Sequence, residues 1–207
     1  MNKLLLNKQQ EKAVAAVVEF INSPRDYFVL RGSAGTGKTT LLAELIKRLS
    51  ESHRSVKLLA PTGRAARILR AKTGTRAVTI HSNIYSLKDI KVLDSTDSKN
   101  DPGFQLQFPL RTDDPGNTIF IVDEASMIPE NSDKGFGNRS LLDDLIKYVY
   151  DSIDCKLILI GDTAQLPPVH LDMSPALDDT ILENDFNKQV IVKELTQVVR
   201  QKKDYLI

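Results

Sequence analysis

A glycine-rich loop of eight residues limits most strongly what this chain can fold into. The loop reads Gly32-Ser-Ala-Gly-Thr-Gly-Lys-Thr39, follows the apolar run 27–30 and precedes a stretch, 38–49, in which leucines recur at helical spacing. Glycines let a backbone fold tightly around an anion, so that its N–H groups and the N-terminus of the next helix point at phosphate groups. The order strand, loop, helix therefore predicts a phosphate-binding P-loop. The alternative is a glycine-rich turn that binds nothing.

Apolar runs and amphipathic stretches alternate along the whole chain. Four runs are continuously apolar or nearly so, as expected for strands covered on both faces: 27–30, 56–60, 119–122 and 157–160. Helical periodicity occupies 9–21, 38–49 and 141–149. Strands that alternate with helices predict an α/β fold of three layers with a mostly parallel sheet. We expect one domain over 1–207.

One insertion interrupts this alternation. Residues 104–110 alternate between apolar and polar side chains and lie between two Asp-Pro-Gly turns, which predicts a β-hairpin at 88–112 with 90–93 as its first strand. Pro109 indicates that at least one of these strands is at an edge.

Composition excludes several classes of protein. Hydrophobic residues make up 41% and charged residues 27% of the 207 residues, which excludes wholesale disorder. The 28 basic and 27 acidic residues give no bulk charge that would indicate a nucleic-acid or membrane partner. A lone cysteine, Cys155, excludes a disulfide framework and a multi-cysteine zinc site. Because no apolar run suits a signal peptide or a membrane span, we expect a cytoplasmic protein with no membrane partner.

The P-loop pattern predicts roles for the side chains within it. Lys38 would reach the β- and γ-phosphates of ATP, and the Thr39 hydroxyl would complete the shell of a Mg²⁺ ion. The other residues expected to contact the nucleotide lie in the loop and the first turn of the helix: Gly32, Ser33, Ala34, Gly35, Thr36, Gly37 and Thr40.

Acidic or polar residues follow two further buried strands. Asp123 ends the run 119–122 and would hold Mg²⁺ through water, while Glu124 is the candidate base for the attacking water. Alternatively, this pair only caps the next helix. After the run 157–160, we expect Gly161 to permit a sharp exit from the sheet, and Gln165 offers an uncharged donor and acceptor suited to sensing a γ-phosphate.

A basic segment contrasts with the neutral whole. Residues 52–88 contain eight Lys and Arg but no acid. Within it Arg64, Arg67 and Arg70 fall on one side of a predicted helix, with Ile68 and Leu69 on the other. This pattern favours contact with nucleic-acid phosphates over a merely solvated face.

Together these elements resemble the first RecA-like lobe, domain 1A, of superfamily 1 DNA helicases, in the RecD-like and Dda-like branch. The resemblance covers residues 6–201. The matching stretches are Leu6-Asn-Lys-Gln-Gln10 (Q motif), the P-loop (motif I), Ala60-Pro-Thr-Gly-Arg-Ala-Ala66 (motif Ia), Thr79-Ile-His81, Val122-Asp-Glu-Ala-Ser-Met127 (motif II), Gly161-Asp-Thr-Ala-Gln-Leu-Pro-Pro168 (motif III) and Leu195-Thr-Gln-Val-Val-Arg200-Gln201 (motif IV).

The resemblance implies further site residues. Gln10 would read adenine, and Arg200 would reach the γ-phosphate together with Gln165. Contacts to DNA would come from motif Ia and the short element after it: Pro61, Thr62, Gly63, Arg64, Arg67, Arg70 and His81. Local alternatives stay open, since Asn7 and Gln10 are spaced as a capping box, Thr62 suits an N-cap, and His81 suits packing or capping.

The activity implied is ATP hydrolysis coupled to movement along single-stranded DNA and to unwinding. The family's second RecA-like lobe, with motifs V and VI, is not found within these residues, so we expect it as a partner. Val199 stands where motif IV often has a base-stacking aromatic residue. Two other functions fit the same motifs: a RecD-type motor subunit of an exonuclease complex, and a nucleotide-switched DNA-binding module that does not translocate.

Overall fold

The computed structural model describes residues 6–94, 104–128, 140–163 and 174–199. The α-helices are α1 Lys8–Ile21, α2 Lys38–Leu49, α3 Gly63–Thr73, α4 Ile80–Ile84, α5 Leu141–Tyr150 and α6 Asp179–Phe186. The strands are β1 Tyr27–Gly32, β2 Ser55–Ala60, β3 Ala77–Thr79, β4 Lys91–Asp94, β5 Phe104–Gln107, β6 Thr118–Val122, β7 Lys156–Gly161 and β8 Val190–Leu195. Two 3₁₀ turns occupy Ala125–Met127 and Pro175–Leu177. Within the described ranges, no helix is long and apolar enough to cross a membrane.

Six strands form one sheet in which every pairing is parallel. The strand order is β3-β2-β6-β7-β1-β8. The carboxyl ends of β6, β7 and β1 therefore lie side by side at one edge of the sheet. In open parallel sheets, this edge is where ligands bind.

The alternation of side chains along the strands builds two cores, one on each face of the sheet. Tyr27 and Val29 of β1 pack in the core that is covered by α4 and α5. Phe28 and Leu30 pack in the opposite core with α1, α2 and Leu69 of α3. The predicted three-layer α/β fold is confirmed.

The predicted parallel strands all exist, and the structure adds two that the sequence reading missed. β1 and β7 each extend beyond the predicted runs, and α2 has the predicted bounds. β3 has only three residues, and the edge strand β8 carries exposed Lys193 and Glu194, so neither presents a continuous apolar run.

A separate two-stranded antiparallel sheet lies within the range of the predicted hairpin, and the residues between its strands, 95–103, fall outside the described part of the chain. β4 pairs with β5 from Lys91 opposite Gln107 to Asp94 opposite Phe104. Nearby, the Ser86 N–H donates to the carbonyl of Pro109, and Tyr85 forms an isolated antiparallel bridge with Leu110. The chain after the hairpin is thereby fastened to the end of α4.

Candidate nucleotide-binding site

The P-loop joins β1 to α2 in a conformation that depends on two glycines. Gly35 and Gly37 have φ angles of 84° and 80°, which L side chains rarely adopt. Gly37 is the N-cap of α2, and among the described residues no side chain caps this helix. The loop is closed by Thr36, whose N–H and hydroxyl both donate to the carbonyl of Ser33. An uncapped helix N-terminus behind such a loop is suited to an anion.

Lys38 extends back over the loop from the first turn of α2. Its ammonium donates to the carbonyls of Gly32, at 2.5 Å, and Ser33, at 3.2 Å. It also lies 3.7 Å from a carboxylate oxygen of Asp162, which follows β7 directly and is itself buried. The cation is thus held between the rim of the P-loop and the neighbouring strand end.

Asp162 is a site residue that the sequence reading missed as such. In this motif, the sequence pattern indicates a role only for Gln165. An acidic residue directly after a buried strand was the available signal. Asp162 lies near Lys38 only because β7 is next to β1 in the sheet, and the local sequence does not specify this strand order.

Asp123 lies at the carboxyl end of β6, next to β2. Its N–H donates to the Leu59 carbonyl at 3.0 Å, and the residue is only 8% exposed. Burial raises the pKa of its carboxyl to about 6, and the negative charge of Glu124 adds to the rise. The Glu124 N–H, Lys38 and Lys72 act in the opposite direction. Asp123 is therefore a carboxylate whose ionised form is costly without a nearby cation.

Glu124 has a strained backbone. Its φ of 56° and ψ of 37° place it in the left-handed region, where a residue with a side chain is uncommon. Although it is the N-cap of the turn Ala125–Met127, its side chain makes no capping hydrogen bond in this fully described turn. Capping therefore does not account for Glu124. Strain of this kind is typical of functional positions.

Gly161 ends β7 and permits close packing there. A Cβ atom there would lie 2.7 Å from Cδ1 of Leu177 and 3.0 Å from the backbone nitrogen of Ser126. Its φ is not positive, whereas Gly35, Gly37 and Gly74 have positive φ. The missing side chain brings the turn after Glu124 against the end of β7.

Gln10 joins α1 to the P-loop. Asn7 and Gln10 form the capping box, with the Gln10 N–H donating to Asn7 Oδ1 at 2.8 Å and the Asn7 N–H to Gln10 Oε1 at 2.9 Å. The Gln10 amide also donates to the Thr36 carbonyl at 3.0 Å. A Cβ on Gly37 would lie 2.4 Å from Gln10 Nε2. Capping and contact with the nucleotide loop are thus combined in one side chain, while adenine reading stays a prediction.

The chain after β8 crosses the P-loop. The Val199 N–H donates to the Gly35 carbonyl at 2.9 Å, and Val198 Cγ1 lies 3.4 Å from a Cβ position built on Gly35. Val199 therefore lies at the nucleotide loop. Arg200 and Gln165 fall outside the described residues, as does most of motif III.

The basic stripe lies on α3 at the end of β2. Arg64, Arg67 and Arg70 are exposed, and none of them forms a salt bridge within the described part of the chain. The expectation for Ile68 was wrong: it is 44% exposed, because only Ala66 and Leu69 face the core. The exposed face of α3 thus combines arginines with one apolar side chain.

The other residues predicted to contact DNA have local roles. Pro61 is buried, Gly63 begins α3, and Thr62 is the N-cap, accepting from the Ala65 N–H at 3.2 Å. The ring of His81 packs 5.7 Å from that of Tyr85. The capping alternative for Thr62 and the packing alternative for His81 are both observed. Contact with DNA stays a prediction for all four.

Comparison with known proteins places these features in a family. A family described as AAA domain matches residues 5–206, nearly the whole chain. The chain belongs to the AAA domain family. This membership implies nucleotide binding.

Relatives extend the comparison. The ATP-dependent DNA helicase RRM3 of Saccharomyces cerevisiae is 29% identical over 212 residues, covering 99% of this chain and 27% of the relative. The ATP-dependent DNA helicase dda of Enterobacteria phage T4 is 30% identical over 199 residues, covering 94% and 39%. The chain thus spans well under half of either relative. The resemblance to a superfamily 1 helicase lobe is confirmed.

Among solved structures, the chain resembles the Bacteroides Pif1 helicase in complex with ADP-AlF3 and ssDNA. The TM-score is 0.53 at 23% identity, over 98% of this chain and 44% of that one. This likeness confirms the RecA-like fold.

Proposed function

We propose that this chain is the ATP-binding motor lobe of a DNA helicase, which couples ATP hydrolysis to movement along single-stranded DNA and to duplex unwinding. The observation that carries the proposal is the meeting of Lys38, Asp123 and Asp162 at adjacent strand ends beside the P-loop. The names of the yeast and phage relatives support the same chemistry here.

The phosphates of ATP would lie in the P-loop. Its backbone N–H groups and the uncapped N-terminus of α2 supply donors for the β- and γ-phosphates. Lys38 would exchange a bond to a loop carbonyl for a bond to a phosphate oxygen, because its three N–H donors already face this space. Thr36 would keep the loop closed through its bonds to Ser33.

The residues at the site fit a magnesium ion. The Thr39 hydroxyl and the Asp123 carboxylate are oxygen ligands of the kind that Mg²⁺ prefers. Within the described ranges, no group of three His, Cys, Asp or Glu side chains forms a metal site by itself, so the ion would be shared with the phosphates. When bound, Mg²⁺ would neutralise charge that develops on the phosphates. Asp123, which is costly to ionise in its buried position, would gain a cationic partner.

Glu124 is the proposed general base. It directly follows Asp123, and its left-handed backbone is held by the turn packed under Gly161. Its carboxylate would accept a proton from water as that water attacks the γ-phosphoryl group. Gln165 and Arg200 are proposed as the groups that sense the γ-phosphate.

Single-stranded DNA would bind across α3. Arg64, Arg67 and Arg70 are exposed and hold no acidic partner among the described residues, so phosphates can approach them. A second RecA-like lobe would complete the groove. Neither an exonuclease-complex subunit nor a non-translocating switch is favoured, because the relatives named above are helicases.

The nucleotide site can be tested by calorimetry with Mg-ADP. Lys38→Ala should weaken binding by at least about a hundredfold, since the loop loses its cation. Lys47→Ala removes an equal charge from the exposed last turn of the same helix and should leave Kd unchanged. Equal affinity of the Lys38 variant and the wild type would refute the site.

The DNA surface can be tested by the salt dependence of oligonucleotide binding. Removing Arg64, Arg67 and Arg70 should lower the log–log salt slope by about 0.7 for each lost phosphate contact. Replacing Lys12, Arg25 and Lys47, which are exposed outside α3, removes the same charge and should change the slope little. If both triple variants behave alike, the face of α3 is only a solvated surface.

A further inference from the structure

Gln9 has an unusual set of contacts for a half-buried side chain in the first turn of a helix. Its Nε2 donates to the Glu194 carbonyl and to the Thr196 hydroxyl, each at 3.1 Å. Its Oε1 accepts from the Thr196 N–H at 3.1 Å and from the Gln197 N–H at 3.0 Å. All four hydrogen-bonding positions of the amide are therefore used. Every partner belongs to the end of β8 or to the residues after it, which we call the exit segment, 196–199.

The exit segment is held at both ends. Gln9 fixes its beginning, and the bond from the Val199 N–H to the Gly35 carbonyl fixes its far end on the P-loop. The neighbouring side chain, Gln10, binds the Thr36 carbonyl of the same loop. Two consecutive glutamines of α1 thus attach the exit segment and the P-loop to one rigid helix.

The docking of α1 on β8 does not require Gln9. Leu195 of β8 is buried in the same core as Val14 and Val17 of α1, and this apolar contact already joins the two elements. Gln9 instead binds backbone that has left the sheet, where no further strand pairing sets its course. The four hydrogen bonds of Gln9 fix the path of the exit segment.

We infer that Gln9 is a positioning residue: it holds the exit segment, which directly precedes Arg200 in the sequence, in place across the P-loop and so supports the binding of a nucleoside triphosphate. The inference rests on the proposed function, in which Arg200 senses the γ-phosphate. Because ADP lacks a γ-phosphate, loss of Gln9 should weaken the binding of a triphosphate and spare the binding of ADP.

The test compares two nucleotides on Gln9→Met, which keeps the length of the side chain and removes its hydrogen bonds. With Mg²⁺ present, Kd for the β,γ-imido analogue of ATP should rise about tenfold, and Kd for ADP by less than about twofold. Lys8→Met changes an exposed residue in the same turn and should alter neither value. An equal loss for both nucleotides, or no loss, would overturn the inference.

A double variant tests whether Gln9 acts through Arg200. If it does, Gln9→Met combined with Arg200→Ala should bind the analogue no more weakly than Arg200→Ala alone. Additive losses would show that Gln9 acts independently and would overturn the inference. If Gln9→Met does not fold, Thr196→Val removes one of the four bonds, and a selective loss of about two- to threefold is expected.

Failure of the proposed function has a different signature. A wild-type chain that binds neither nucleotide would remove the basis of both proposals. A wild type that prefers the triphosphate, with a Gln9→Met variant that shows the same preference, would remove only the positioning role.

Discussion

Two nearly buried lysines lie at opposite edges of the same sheet, and they have similar hydrogen bonds. The side chain of Lys38, at the carboxyl edge, is 12% exposed and donates to the carbonyls of Gly32 and Ser33. Lys156, at the amino edge, is buried and donates to the carbonyls of Ser23, at 2.8 Å, and Arg25, at 2.7 Å. Burial and carbonyl partners therefore do not distinguish the proposed phosphate-binding lysine from a structural one.

Their other neighbours make the difference. Lys156 lies 5.4 Å from the centre of the Phe20 ring, and burial lowers its pKa, although the charges of Asp26 and Asp154 act in the opposite direction. Within the described residues, no carboxylate lies at salt-bridge distance from Lys156. Lys38 has the buried Asp162 at 3.7 Å and stabilises the ionised form of Asp123. Buried carboxylates lie near Lys38 because parallel strands end together at this edge. Lys156 instead donates hydrogen bonds to the chain that leaves α1, so we assign it a structural role.

The largest effect should come from a substitution at the carboxyl edge of the sheet. Glu124→Gln removes the proposed base and should lower ATP turnover, measured with single-stranded DNA present, by about 10²- to 10⁴-fold. Nucleotide affinity should persist, because the P-loop and Lys38 are unchanged.

The matched control for this variant is Glu183→Gln, which neutralises an exposed carboxylate on α6. Its turnover should equal that of the wild type. If Glu124→Gln also kept wild-type turnover, the carboxyl edge would be no more catalytic than the amino edge.

Asp123, at the carboxyl edge, makes the stability of the protein dependent on pH. In the folded protein its pKa is raised to about 6 from 3.8, so between these values the folded chain holds a proton that the unfolded chain releases. Stability should therefore fall as pH rises through this window. Asp123→Asn removes this dependence and should stabilise the metal-free protein at pH 8 by at most about 3 kcal/mol.

Thermal unfolding at pH 4 and pH 8 checks this expectation. The variant should gain stability at pH 8, should gain little at pH 4, and should lose stabilisation by Mg-ADP. Asp185→Asn, at an exposed position, should match the wild type at both pH values. A variant that is less stable than the wild type at pH 8 would show that the Asp123 carboxylate is compensated within the chain.

The smallest effect should come from a substitution at the amino edge of the sheet. Lys156→Met keeps the apolar stem over Phe20 and removes the bonds to Ser23 and Arg25, which should cost about 1–2 kcal/mol in the free energy of unfolding. Denaturant unfolding measures this loss, and calorimetry should show unchanged Kd for Mg-ADP. Altered nucleotide affinity would mean that the two edges are coupled through β7.

Local sequence was sufficient for several features because their interactions are local. The capping box of Asn7 and Gln10 spans three residues, and the bounds of α2 follow from one loop and one apolar stripe. The continuous apolar runs identified strands covered on both faces. β8 was missed because an edge strand tolerates polar residues such as Lys193 and Glu194, which break the run. Ile68 was misplaced because it stands four residues after Arg64, and residues i and i+4 of a helix lie on the same face.

By itself, the sequence determined the P-loop, the N-terminal caps of α1 and α3 and the alternation of strands and helices, since each depends on residues a few positions apart. Only the tertiary structure decided which strand ends meet. The order β3-β2-β6-β7-β1-β8 places Asp162 beside Lys38 and Asp123 at the adjoining strand end. It also brings Gln9 to the exit segment across 185 to 188 residues of chain. Such contacts form when two opposite cores bury the faces of one sheet, and no local pattern specifies which pairing buries them best.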